Sequence, residues 1–232
     1  DFIKSLNFKL TNSQNKVLED IFRDMTSDKQ MNRLVQGDVG CGKTIISFIA
    51  MFNVIKNGFQ SVLMAPTEIL ARQHYESAKK LFSKYNIKVE LLVGSLKESE
   101  KKAIREKIEN GEIDIVIGTH AVFQEKVVYK NLGFVITDEQ HRFGVKQRLL
   151  LSKKFKNPDI LVMSATPIPR TVGLVMFCDL DISTIDELPS GRGKVNTYFV
   201  DENYEERYMN FIKKHISEGR QAYIVCPLVD ES

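Results

Sequence analysis

Gly37, Gly42, Lys43 and Thr44 stand at the spacing G-x-x-x-x-G-K-[ST], with Gly40 inside the loop. Glycines permit the backbone angles that turn successive N–H groups toward a polyphosphate. Lys43 follows where a cation can reach the outer phosphates, and Thr44 offers a hydroxyl to Mg²⁺. Further along, Phe134, Val135, Ile136 and Thr137 lead into two adjacent carboxylates, Asp138 and Glu139. That reads as a buried strand whose end presents both acids. A nucleoside triphosphatase needs a phosphate loop and such an acidic strand end, so the pair decides more than either alone.

The elements that must position these residues are legible around them. Arg33 to Gln36 forms a short strand before the loop, and Lys43 to Asn57 a mostly apolar helix after it, with Gly58 as its C′ residue. Strand, glycine loop, helix is the arrangement that confirms a phosphate site, because the helix N-terminus adds free N–H groups and partial positive charge. Short aliphatic runs recur at Ser61 to Ala65, Val89 to Val93, Asp114 to Ile117, Phe134 to Ile136 and Ile160 to Met163. Runs of this kind suit strands covered on both faces, hence a parallel sheet. Helices are expected over 67–85, 97–110, 145–153 and 167–177. The fold class is therefore α/β, a parallel sheet with helices on both faces and ligand chemistry at its carboxyl edge.

The chain has 232 residues, 43% hydrophobic and 27% charged, as a water-soluble globular protein has. The longest apolar stretch, Ile45 to Ile55, is too short to span a bilayer. A net charge of +3 permits nucleic-acid binding without arguing for it. The three cysteines, Cys41, Cys178 and Cys226, make no paired framework and fit a reducing cytoplasm. Cys41, inside the loop, reads as a small filler residue. The four histidines, His74, His120, His141 and His215, show no metal-ligand spacing. The charged segment Lys97 to Ile108 alternates in sign and reads as a solvated helix face.

A boundary falls at the Pro/Gly cluster from Leu188 to Gly193, giving a first domain over 1–189 and a second segment over 190–232. That segment reads as strand (Val195 to Val200), helix (Tyr204 to Ser217) and strand (Ala222 to Cys226), too little to bury a core of its own. With no initiator Met before Asp1, the chain is expected to be an excised fragment whose second α/β domain is truncated.

Weaker motifs line the same sheet edge. Thr11 is a helix N-cap close before Gln14, whose amide can donate to and accept from an adenine edge at once. Pro66, Thr67 and Arg72 follow a strand and open a helix, a geometry that offers N–H groups to a nucleic-acid phosphate. Thr119 and His120 end the fourth strand, and Ser164 and Thr166 the sixth. In order, Gln14, the loop 37–44, 65–68, 118–120, 138–141 and 164–166 resemble the first motor domain of superfamily 2 helicases, over residues 8 to 190. The finer runs 63–71, 118–124, 138–145, 164–171, 179–189 and 219–228 are similar to the RecG family of bacterial ATP-dependent DNA helicases, which remodel stalled forks and branched junctions. Transcription-repair coupling factors share several of these runs but usually carry Glu where Gln140 stands.

The resemblance implies a RecA-like domain that binds ATP and Mg²⁺, with DNA as partner, acting as a monomer in the bacterial cytoplasm at the nucleoid. Gln14 would read adenine with Phe8 near the base, and Gly37, Gly40, Gly42, Lys43 and Thr44 would hold phosphates and metal. Asp138 would coordinate Mg²⁺ through water, Glu139 would polarise the attacking water, and Gln140 and His141 would sense the γ-phosphate. Ser164 and Thr166 would couple that state to DNA grip, while Pro66, Thr67, Arg72, Gly94, Ser95, Thr119 and His120 would touch the DNA backbone. Thr137 replaces the usual aliphatic residue before Asp138, a change expected to be tolerated. The family's arginine finger lies on a second-domain motif that this sequence lacks, so the chain alone is expected to bind nucleotide weakly and hydrolyse it poorly. A nucleotide kinase, which would need an acceptor pocket, and a non-catalytic binding module remain alternatives.

Overall fold

Aliphatic runs bounded by turns become strands here because helices cover both faces of the pleated surface they make. The structure, a computed structural model, describes residues 2–138, 158–165, 180–189, 196–201 and 204–225. Two compact units divide the chain, Asp1–Gly191 and Arg192–Ser232. The expected helices over 145–153 and 167–177, together with Glu139, Gln140, His141 and Thr166, lie outside the described residues.

The first unit carries β1 (Asn32–Gly37), β2 (Gln60–Met64), β3 (Val89–Leu92), β4 (Ile115–Gly118), β5 (Leu132–Asp138), β6 (Asp159–Ser164) and β7 (Asp181–Ile185). Their spatial order is β3-β4-β2-β5-β6-β1-β7, and every neighbouring pair is parallel. The fold is the RecA-like α/β sheet expected. Strand β7 escapes sequence reading because Asp181, Ser183 and Thr184 break its apolar run; among the described residues it is an edge strand that pairs only with β1.

Among its described residues this unit has four α-helices: α1 (Asn12–Met25), α2 (Lys43–Lys56), α3 (Glu68–Phe82) and α4 (Glu98–Asn110). Their ends follow local chemistry. Thr11 caps α1 in a complete capping box with Gln14, Thr67 caps α3, and α4 closes on Gly111 at φ 74°. Asn57 is the C-cap of helix α2, with Gly58 at φ 83° beyond it, the left-handed C′ position anticipated.

Strand alternation sorts the core into two layers. Phe134 and Ile136 pack with Val17 of α1, Ile46 and Phe48 of α2, and Ala71 and Phe82 of α3. Val135 points the other way, toward Ile108 of α4, Val122 and Tyr129. Each fully buried side chain of this size contributes about 1.5–3 kcal/mol. Asp138 shares the parity of Phe134 and Ile136, so it projects on the side of α2 and α3, whereas Thr137 projects into the other layer.

In the second unit, α5 (Glu205–Ser217) contains no buried residue. The strands expected over 195–200 and 222–226 are not seen: residues 196–201 and 220–225 join no ladder among the described residues. A strand exists through hydrogen bonds to a partner, and propensity alone supplies none.

Candidate functional site

The phosphate loop leaves β1 at Gly37 and enters α2 at Lys43. Gly40 (φ 79°) and Gly42 (φ 94°) lie in the left-handed region, as a loop that folds its N–H groups inward requires. Gly42 is needed twice over, because a Cβ there would overlap the Gln14 amide nitrogen. Lys43 is buried, its ammonium donating to the carbonyls of Gly37 (2.6 Å) and Asp38 (3.1 Å). Thr44 is half-buried in the first turn of α2. Cys41 is buried and its thiol is pushed up by desolvation, which suits a filler and not a reactive group.

Gln14 reaches this loop from α1. Its Nε2 donates to the Cys41 carbonyl at 2.7 Å, while its Oε1 accepts from the Thr11 N–H at 2.9 Å. The amide therefore braces the loop and closes the helix cap at the same time. Glu187, just beyond β7, completes that cap: its Oε2 accepts from the N–H groups of Asn12 (2.9 Å) and Ser13 (3.3 Å), and its own N–H donates to Ser13 Oγ (3.2 Å). A carboxylate on the first N–H groups of a helix is favoured by the helix dipole. Phe8 is exposed, upstream of the cap.

Asp138 ends β5. Register across β6 sets it level with Val35 of β1, because Asp138 and Val35 both pair with Met163. Two strand spacings, about 10 Å, separate those positions. Loop and carboxylate thus emerge at one edge of the sheet and on the face that α2 covers. Asp138 Oδ2 lies 2.6 Å from His74 Nε2 of α3, with both side chains buried. Ser164, at the end of β6 between them, is also buried.

The neighbouring strands β3, β4 and β2 supply the other half of the same edge. Pro66 and Thr67 follow β2, Thr119 and His120 follow β4, and Gly94 and Ser95 follow β3. All are exposed except the half-buried Thr119. Arg72 Nη2 meets Glu68 Oε1 at 2.7 Å and Ser95 Oγ donates to the same oxygen at 2.5 Å, so the α3 and β3 contributions are bonded together. The Glu68 carboxyl is held below its ordinary range, first by the Ser95 hydroxyl and then by Arg72. An incoming phosphate would compete with Glu68 for Arg72.

Thr137 is fully buried, and its Oγ1 has no hydrogen-bond partner among the described residues. A hydroxyl left unpaired in an apolar layer costs about 1–3 kcal/mol. Thr137→Val keeps the shape and removes that group, so it should raise stability by about 1 kcal/mol, read as a higher urea midpoint with unchanged slope.

Sequence reasoning missed Glu187 and His74. Glu187 lies far along the chain from the helix it caps, and His74 sits in a helix with no ligand spacing, so no local pattern could flag them.

The DEAD/DEAH box helicase family model matches residues 11–175. The chain is 52% identical over 231 residues to the ATP-dependent DNA helicase RecG of Bacillus subtilis (strain 168), covering 100% of this chain and 34% of that protein. It is 52% identical over 232 residues to RecG of Thermotoga maritima, covering 100% of this chain and 30% of that one. The chain therefore spans about a third of the length of these relatives. A solved structure of RecG bound to a three-way DNA junction superposes with a TM-score of 0.85 at 49% identity, over 98% of this chain and 31% of that one. The DEAD-box helicase Mss116 bound to ssRNA and UDP-BeF shares the fold, at a TM-score of 0.66 and 21% identity over 94% of this chain and 50% of that one. With a glycine loop, an acidic strand end and a RecA-like sheet joined to these likenesses, this nucleotide-binding chain belongs to the DEAD/DEAH box helicase family.

Proposed function

We propose that this chain is an ATP-hydrolysing motor unit of an ATP-dependent DNA helicase that acts on branched DNA, such as stalled forks and Holliday junctions, in recombination and repair. The observation that carries the reading is the division of one sheet edge. The ends of β1, β6 and β5 bring the loop, Ser164 and Asp138, and the ends of β3, β4 and β2 bring Gly94, Ser95, Thr119, His120, Pro66 and Thr67. Identity of 52% to RecG along the whole chain favours this over the coupling-factor reading.

The residues have the chemistry for the roles. Backbone N–H groups at Gly40, Gly42 and Lys43, with the N-terminus of α2, would bind the β- and γ-phosphates. Lys43 would exchange the Gly37 and Asp38 carbonyls for phosphate oxygens. Among the described residues Gln14 spends one donor and one acceptor on the chain itself and keeps one of each, the pair an adenine edge needs. The Thr44 hydroxyl and Asp138 carboxylate are hard oxygen donors that fit Mg²⁺, which favours one or two protein oxygens together with substrate phosphates. When bound, Mg²⁺ would neutralise charge on the transferring phosphoryl group. Glu139 would orient the attacking water, Gln140 and His141 would respond to the γ-phosphate, and Ser164 and Thr166 would relay that response. The exposed residues at β3, β4 and β2, with Arg72, would grip the sugar-phosphate backbone, a contact that positions without reading sequence. Among the described residues no helix is long and apolar enough to cross a membrane. A monomer working at the nucleoid in the bacterial cytoplasm suits a DNA substrate.

ATP turnover measured without DNA, with linear duplex and with a three-way junction tests the reading, on the chain and on a protein extended to the length of its RecG relatives. The longer protein should be stimulated most by the junction, with the chain alone weakly active. A non-catalytic module would show no turnover in either form. Phosphate transfer to a small acceptor instead of water would favour the kinase reading.

A further inference from the structure

We propose that His74 is a positioning residue of the ATP site, holding the Asp138 carboxylate in place and tying it to the helix that faces DNA. This inference rests on the nucleotide reading above and goes beyond it.

His74 Nε2 and Asp138 Oδ2 are 2.6 Å apart, in side chains only 10% and 11% exposed. At that distance and burial, the contact fixes where the carboxylate sits. For Asp138 to remain an ionised oxygen donor, Nε2 must carry the hydrogen and donate it. Histidine is thereby engaged through Oδ2. The same carboxylate is the group assigned to the metal, and partners in a second layer set the orientation and strength of such donors.

What makes the contact more than local support is where His74 comes from. It lies on α3, two turns beyond the Thr67 cap, about 10 Å along the helix axis. The first turns of α3 hold Glu68 and Arg72, which are bonded to Ser95 after β3. Helix α3 also packs on β3 and β4, the strands of the DNA half. One helix therefore touches the DNA-facing cluster at its start and the nucleotide carboxylate at its middle. A shift of α3 on DNA engagement would move the His74 ring, and with it the constraint on Asp138.

The test compares binding of a fluorescent methylanthraniloyl ADP to the chain in Mg²⁺ and in EDTA, for wild type, His74→Ala and His74→Gln. The expected result is loss of about tenfold of the Mg²⁺-dependent gain in affinity in His74→Ala, with EDTA affinity within about twofold of wild type. Glutamine can still donate, so His74→Gln should keep the gain to within about threefold. If His74→Ala does not fold, His74→Leu fills the space without a donor and should lose the gain to the same degree. A folded Ala or Leu variant with the full Mg²⁺ gain would overturn the role of His74 and leave the nucleotide reading standing. Wild type that shows no Mg²⁺-dependent binding would overturn that reading and this inference together.

Discussion

Lys43→Ala should weaken binding of Mg·ATP by about 10- to 100-fold and remove whatever turnover the chain supports. The magnitude follows from losing a hydrogen bond to a charged partner, about 1.5–3 kcal/mol, at about 1.4 kcal/mol per tenfold. The fold should survive, because α2 is held by Ile46, Phe48, Ile49, Ala50 and Met51, all in the core. What the protein itself loses with Lys43 is two bonds, one to the carbonyl of buried Gly37 and one to that of exposed Asp38. Calorimetric titration with ATP, paired with a melting curve, separates lost affinity from lost structure. An unchanged affinity would mean that the loop does not hold the phosphates.

The largest effect on stability is expected from Gly118→Ala. Gly118 ends β4 level with Leu92 of β3 and Met64 of β2, and its carbonyl accepts from the Ala65 N–H at 2.8 Å. A Cβ at this position would overlap the Leu92 carbonyl oxygen and lie 2.7 Å from Val122 Cγ1. Backbone cannot yield as a flexible side chain does, so the strand ends must part. A cost of about 3 kcal/mol, or about 6–12 °C in Tm for a domain of this size, should follow. Thermal unfolding followed by circular dichroism checks it. The damage would centre on the edge that carries Thr119, His120, Gly94 and Ser95, the half proposed to grip DNA, so on that proposal DNA affinity should fall before nucleotide affinity does. A variant that melts with wild type would show that β3 and β4 are not packed this closely.

Local grammar makes much of this molecule readable in advance. Thr11 and Thr67 cap the helices expected of them, Gly58 follows α2 in the left-handed region, and six strands fall on aliphatic runs. These signals are short-range, written within a few residues of the structure they cause. What escapes is long-range or edge-like. β7 has a polar face because it lies at the sheet margin, so its residues do not read as a buried strand. His74 and Glu187 act on residues far away in sequence, which only the folded sheet brings near. The strands expected over 195–200 and 222–226 have propensity but find no partner among the described residues, and a ladder needs both. Thr137, expected to be tolerated at a strand end, is fully buried with its hydroxyl unpaired among the described residues. In the candidate site, the loop and acid are legible as types and spacing. Their meeting at one edge rests on strand order, which no motif encodes.

Diffraction from crystals of the chain grown with ADP, and with Mn²⁺ replacing Mg²⁺, tests that meeting most directly through the metal's anomalous signal. A single strong peak is expected beside the Thr44 hydroxyl and on the Asp138 side of the loop, with the diphosphate cradled by residues 37–44. A metal peak remote from Asp138, or a nucleotide seated away from the glycine loop, would contradict it.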